Sequence, residues 1–221
     1  MSRNSQEQKR GDYAWLKGLI SELRDAHRQR SLTAARISEA VENLEHHRFG
    51  YDDVKFPPLR NTKSMLNEIS EGPRTLAEAL LWKLGKWPAY KNFVEFHRGD
   101  GTKPTDPQSV VFAAFALHLK DETNPIFDQH SLRALWAICA FARSSAEFQA
   151  CKAFLVDAKG KWKAAGSGKE SVECYHLFTK HLVRVQEQTR VSLREIDRLL
   201  MPLGRAIKEI ATYRQFCELC R

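Results

Sequence analysis

Apolar residues recur along this chain at three- and four-residue spacing, with polar residues between them. In "DYAWLKGLISELRDAH", Trp15, Leu16, Leu19, Ile20 and Leu23 fall on one stripe, which predicts an amphipathic helix with one face toward a core. "SLTAARISEAVENLEHH" repeats the pattern with Leu32, Ile37, Val41 and Leu44, and Ser31 stands where an N-cap belongs. "RFGYDDVKFPPLRN" has Gly, paired Pro and no period, so it reads as a loop. A short helix through Met65, Leu66 and Ile69 follows and ends before Gly72-Pro73.

Two helix starts are sharply marked. Thr75 with Glu78, and Ser192 with Glu195, have the spacing of a capping box, in which each side chain satisfies the other's free backbone donor. The first opens "LAEALLWKLG", which Gly85 stops, and the second opens "LREIDRLL". Pro88 suits the first turn of "PAYKNFVEFH". Asp106 and Pro107 start "SVVFAAFALHL", which is apolar almost all round and is therefore expected to be central and buried. After the break at Asn124-Pro125, Asp128 takes the N-cap position of "QHSLRALWAICAFAR". Helical signals continue over roughly 145–158 and 171–187, and a last helix follows Pro202, which bends or divides its segment. "KGKWKAAGSGKE" is a Gly- and Lys-rich loop. With no period-two stretch and no internal repeat, the chain reads as all-α with about ten helices. Residues 1–72 form a first helical segment and 73–221 a larger core, the two packed as one unit.

Composition narrows the function classes. The 221 residues are 43% hydrophobic and 28% charged, enough to bury a core. Lys and Arg total 35 against 27 Asp and Glu, and the net charge of +8 favours a polyanionic partner, although a solvated basic surface gives the same number. No apolar run approaches the roughly 20 residues of a membrane span. The polar start "MSRNSQEQKRGD" lacks the apolar stretch of a signal peptide, so a cytoplasmic protein without a membrane partner is expected. The cysteines number five and are scattered. Cys217 and Cys220 form a C-x-x-C without a second pair, so free thiols are expected, with no metal and no cofactor. A Walker loop, a dinucleotide fingerprint and a G-x-S-x-G elbow are all missing.

The candidate chemistry centres on "NPIFDQHSLRALWAIC", which puts the carboxylate of Asp128, the imidazole of His130 and the guanidinium of Arg133 within two helical turns. An N-cap Asp is worth about 1 kcal/mol as structure alone. Flanked by Ile126 and Phe127, it can also sit half-desolvated at a cleft edge, stabilising developing positive charge or activating a water. One carboxylate oxygen can cap while the other faces a ligand. His130 either touches cleft or phosphate, or merely packs, and Arg133 pairs with a carboxylate or a phosphate. Lys83, Lys86, Trp87 and Tyr90 read either as a stacking and phosphate surface or as core rings with solvated lysines. Trp162, between Lys161 and Lys163, is the better surface candidate, because its Gly-rich context argues against burial.

"PIFDQHSLRAL" resembles the helix-start motif of the helix–hairpin–helix DNA glycosylase superfamily: Pro, apolar residues, the catalytic Asp, then a helix with a basic residue. Two more segments are similar to a bacterial branch related to 8-oxoguanine glycosylases. One is "LLWKLGKW", with Trp82, Lys83 and Lys86. The other is "VSLREIDRLLMPLG", with Leu193, Arg194, Ile196, Asp197 and Leu199 in matching places. "VVFAAFALHL" takes the place of that branch's small-residue helix. The likeness spans roughly residues 75–205 in the right order. It implies a two-lobed helical fold and a double-stranded DNA partner whose damaged base is flipped into a pocket. Asp128 would support departure of that base, with the helix dipole favouring its charge. Two departures change the expectation. Gly99 and Gly101 lie too far upstream to be the family hairpin's turn, which leaves that hairpin degenerate. The family's strand-cleaving lysine is replaced by Ser109, nineteen residues before Asp128, with Lys103 off register, so a monofunctional enzyme is expected. A catalytically inactive nucleic-acid-binding relative and a helical protein-interaction module are the alternatives.

Overall fold

The computed structural model describes residues 3–51, 75–98, 110–121, 123–141, 144–163 and 170–220. These residues form ten α-helices and no strand: α1 (Arg3–Arg28), α2 (Ala34–His46), α3 (Leu76–Lys83), α4 (Trp87–Arg98), α5 (Val110–Lys120), α6 (Gln129–Cys139), α7 (Ser145–Leu155), α8 (Ser171–Thr189), α9 (Leu193–Ile210) and α10 (Tyr213–Leu219). The all-α fold expected from the periodicity is the fold observed. The expected short helix near Met65, the Asp106 cap, and Gly99, Gly101, Lys103 and Ser109 lie outside the described residues.

Local chemistry sets most boundaries. Thr75 with Glu78 and Ser192 with Glu195 close their capping boxes, and Ser144 with Glu147 and Thr212 with Gln215 add two more. Gly85 adopts φ of 67° just beyond α3, a conformation that glycine takes without steric cost. Ser31 is not the cap of α2. Its hydroxyl donates to the Ala26 carbonyl at the end of α1, and Thr33 caps instead by accepting from the Arg36 amide. Helix α7 stops at Leu155 because Val156 turns extended and pairs with Trp162. Helix α9 runs through Pro202 unbroken, with buried Leu199, Leu200 and Leu203 on either side of the proline.

The central helix is α6. It packs most extensively on α9 and also on α1, α7 and α8, and nine of its eleven residues are buried. Phe127, just ahead of it, is enclosed by Phe154, Tyr175 and Phe178 with ring centroids 5.3–5.4 Å away. Trp136 meets Phe148 and Phe216 edge-on. The N-terminal helices belong to the same core, since Leu16, Ile20, Leu32 and Leu44 are buried in one cluster with Leu132, Trp136 and Leu203. Gly204 permits the tight α6–α9 crossing: a Cβ there would lie 2.0 Å from the His130 carbonyl oxygen.

Among the described residues helix α5 is buried on one face only, through Val110, Ala113, Ala114, Ala116 and Leu117. It packs on α4 and α8, and Phe112 on its other face is 53% exposed. Helix α3 touches α4, and its i, i+4, i+8 row of Leu76, Leu80 and Leu84 is exposed.

Candidate functional site

Asp128 ends an extended segment whose preceding residues, Ile126 and Phe127, are fixed in the core. Its Oδ1 accepts from the His130 amide at 2.6 Å and the Ser131 amide at 2.9 Å, and its own amide donates to Ser131 Oγ at 2.9 Å. The side chain is therefore held in one rotamer at the positive end of α6, and it remains half-buried rather than sealed.

Charged groups gather around it. His130, also half-buried, has its pKa lowered by burial first and by Arg133 and Lys208 after that, while Asp128 and the Gly204 carbonyl push it upward. Arg133 is fully buried. Its Nη1 donates to the Gly204 carbonyl at 2.9 Å and lies 3.5 Å from His130 Nδ1, whereas Nε and Nη2 have no hydrogen-bond partner among the described residues. Its guanidinium carbon sits 4.4 Å above the Trp162 ring, a cation–π contact. Burial lowers its pKa to about 10, against the pull of Asp128. Lys208, one turn beyond Gly204 on α9, is lowered by burial and by Arg133 and raised by Asp128. These shifts join Asp128, His130, Arg133 and Lys208 into one electrostatic group across the α6–α9 crossing.

The other candidates are dispersed. Trp87 is buried, packed between Trp82 and Tyr90 with centroids 5.5 and 5.3 Å away, and the Tyr90 hydroxyl donates to Glu78 Oε1 at 2.9 Å. These rings stabilise the α3–α4 pair, with Lys83 and Lys86 exposed beside them. Trp162 is half-buried and lines a cleft, yet it is packed more closely than its Gly-rich neighbours suggest. Its Nε1 donates to the Ala211 carbonyl at 2.8 Å, and Tyr213 and Phe216 pack edge-on against it. Lys161 is exposed, but the Lys163 ammonium turns back to the Ala153 carbonyl. The hydrogen-bond acceptor of Arg133 is a helix carbonyl rather than a carboxylate.

Two further features adjoin this group. A cleft of 950 Å³ between the N-terminal helices and α9–α10 is lined by Arg10, Trp15, Arg48, Trp162 and Lys208 among others, so it adjoins the Asp128 group through Lys208. Asp197, on the buried stripe of α9, lies close enough to Asp128 for the two charges to interact. Its position between Leu193 and Leu200 on an apolar face was the available signal of its burial. Among the described residues no group of three or more His, Cys, Asp or Glu could hold a metal ion, and no helix is long and apolar enough to cross a membrane. All five cysteines are free. No protein-family model, curated protein or solved structure compared with the chain matches it.

Proposed function

We propose that this is a helix–hairpin–helix glycosylase-like protein acting on DNA, monofunctional, with Asp128 as its key carboxylate. The observation that carries the reading is the state of Asp128: one oxygen is committed to two backbone amides, and the half-exposed side chain is surrounded by His130, Arg133 and Lys208. A carboxylate fixed in this way suits cleavage of the bond between a sugar carbon and a base nitrogen. The base leaves with the bonding pair, positive charge develops on the sugar, and the negative oxygen stabilises it before water adds at that carbon. Little reorganisation is needed at the moment of reaction, because the amides have already oriented the group. Lys208, which lines the neighbouring cleft, suits a phosphate that flanks a flipped nucleotide.

The test is release of free base from oligonucleotides carrying 8-oxoguanine, uracil or alkylated purines, by the parent and by Asp128→Asn. Asn caps helices as well as Asp does, so the fold is kept while the charge is removed. The expected loss is about 100-fold or more, in the range seen when one electrostatic contact to a transition state is deleted. Absence of Asp128-dependent release across the panel contradicts the enzymatic reading. A second reading, a nucleic-acid-binding relative without catalysis, is favoured by the lining of the cleft, where Arg10, Arg48 and Lys208 take part and Asp128 does not. It predicts salt-sensitive binding that is weakened when Arg10 and Arg48 are neutralised and is indifferent to Asp128→Asn.

A further inference from the structure

Asp197 is 1% exposed, and among the described residues no hydrogen bond of good geometry reaches either carboxyl oxygen, although the Ile126 N–H lies close by. It lies on α9 among Leu193, Ile196, Leu200 and Leu203, on the face that packs against α6. The groups that bear on it are the backbone N–H of Ile126 and the carboxylate of Asp128, at the two ends of the short segment leading into α6. No charged side chain of α1, α2 or α8 acts on it among the described residues. On the α6 side Asp128 does so, while His130, Arg133 and Lys208 face Asp128 instead. On α9 itself Arg194 and Arg198 stand on the exposed face, so a second negative charge in this dry crossing would meet Asp128 at close quarters. Burial pushes the carboxyl up to about 8; the Ile126 amide opposes the rise and Asp128 adds to it.

We propose that Asp197 is a positioning residue for Asp128: its neutral carboxyl lets the 126–128 segment seat against α9, and loss of its proton disturbs the Asp128 cap. The group that acts on substrate stays Asp128, and Asp197 works through it. The catalytic consequence rests on the glycosylase-like reading, whereas the structural consequence does not. When Asp197 ionises, its new charge and that of Asp128 repel across the crossing. The relief available is a shift of Asp128 and its cap toward solvent, because Asp128 is half-exposed while Ile126 and Phe127 are fixed in the core.

The amides of His130 and Ser131 report that movement directly, since both donate to Asp128 Oδ1. In the ¹⁵N-labelled full chain, both resonances are expected to shift with one alkaline midpoint between about pH 6 and pH 10, and to stay still over that range in Asp197→Asn. A parent with no such shift overturns the proposal. So does an Asp197→Asn chain that keeps it, because the titrating group would then be another, with Lys208 the first candidate. If Asp197→Asn does not fold, the Asp197 carboxyl carbon is followed in the ¹³C-labelled parent. It must titrate with the same midpoint as the two amides, and a different midpoint overturns the proposal. Where a substrate releases base, the rate is expected to fall about tenfold per pH unit above that midpoint in the parent and to hold in Asp197→Asn. A substrate panel with no release removes the glycosylase-like reading and leaves the amide result to decide the role of Asp197.

Discussion

The two ends of α6 each bury an arginine from the core and treat it differently. At the C-terminal end, Arg24 of α1 points Nε and Nη2 at the Ala137 carbonyl, at 3.0 and 2.7 Å, where the helix leaves its carbonyls unpaired. The cation complements the negative end of the helix dipole and supplies donors that α6 lacks. At the N-terminal end, Arg133 lies near the positive pole of its own helix, bonds one carbonyl and leaves Nε and Nη2 without hydrogen-bond partners among the described residues. Close by, and again among those residues, no hydrogen bond of good geometry reaches either oxygen of Asp197. Buried polar groups are ordinarily satisfied, and each exception costs about 1–3 kcal/mol, more when charged. One end of the helix is thus arranged for stability, and the other gives stability up beside Asp128. Such concessions are expected where a group is kept for chemistry rather than for folding.

The largest effect should come from the crossing that both readings share. Gly204→Ala places a methyl group 2.0 Å from the His130 carbonyl oxygen, which neither backbone can avoid. Equilibrium unfolding should show a loss of about 3 kcal/mol or more, the gain in helix propensity from Ala notwithstanding. A neutral substitution would mean that the two helices do not meet so closely.

Asp197→Asn comes next and acts in a pH-dependent way. The folded carboxyl titrates at about 8, above its ordinary value of 3.8, so the folded state keeps a proton that the unfolded chain has released. Stability from this group is fully present below the unfolded pKa and is lost as pH rises toward 8, after which the curve levels. Asp197→Asn removes that slope. Relative to the parent it should gain about 3 kcal/mol between acid and alkaline conditions, a value set below the full conversion of the shift because the interior relaxes around a new charge. Parallel stability curves for the two proteins would contradict this account.

The same contrast explains what could be read from the sequence. Helix starts were legible because capping is local: Thr75 with Glu78, Ser192 with Glu195 and the Asp128 cap are all decided within four residues. Ser144 with Glu147 carries the same signal and was overlooked. Ser31 misled because its hydroxyl has a competing local acceptor in Ala26. Burial was less legible, because it depends on partners distant in sequence. Trp162 sits in a Gly- and Lys-rich loop, and only Ala211, Tyr213 and Phe216, some fifty residues later, give it a seat. Arg133 read as a cation for a carboxylate or a phosphate and Asp197 as one matching position of a motif, and the loss of water at both follows from the α6–α9 crossing, with Trp162 covering Arg133. Helix α5 read as central because composition records how apolar a helix is, not which of its faces the described residues cover.

The comparison between the two arginines tests most directly whether the N-terminal end of α6 is held for function. Arg24→Met and Arg133→Met are to be compared with the parent by urea unfolding. Arg24→Met should cost about 2 kcal/mol, the worth of charged donors to the buried Ala137 carbonyl. Arg133→Met should be neutral within about 1 kcal/mol or stabilising, because a buried, poorly paired cation is replaced by an apolar side chain of similar length. A loss for Arg133→Met equal to or larger than that for Arg24→Met would contradict the account, since it would make both arginines structural and leave Asp128 no more than a cap.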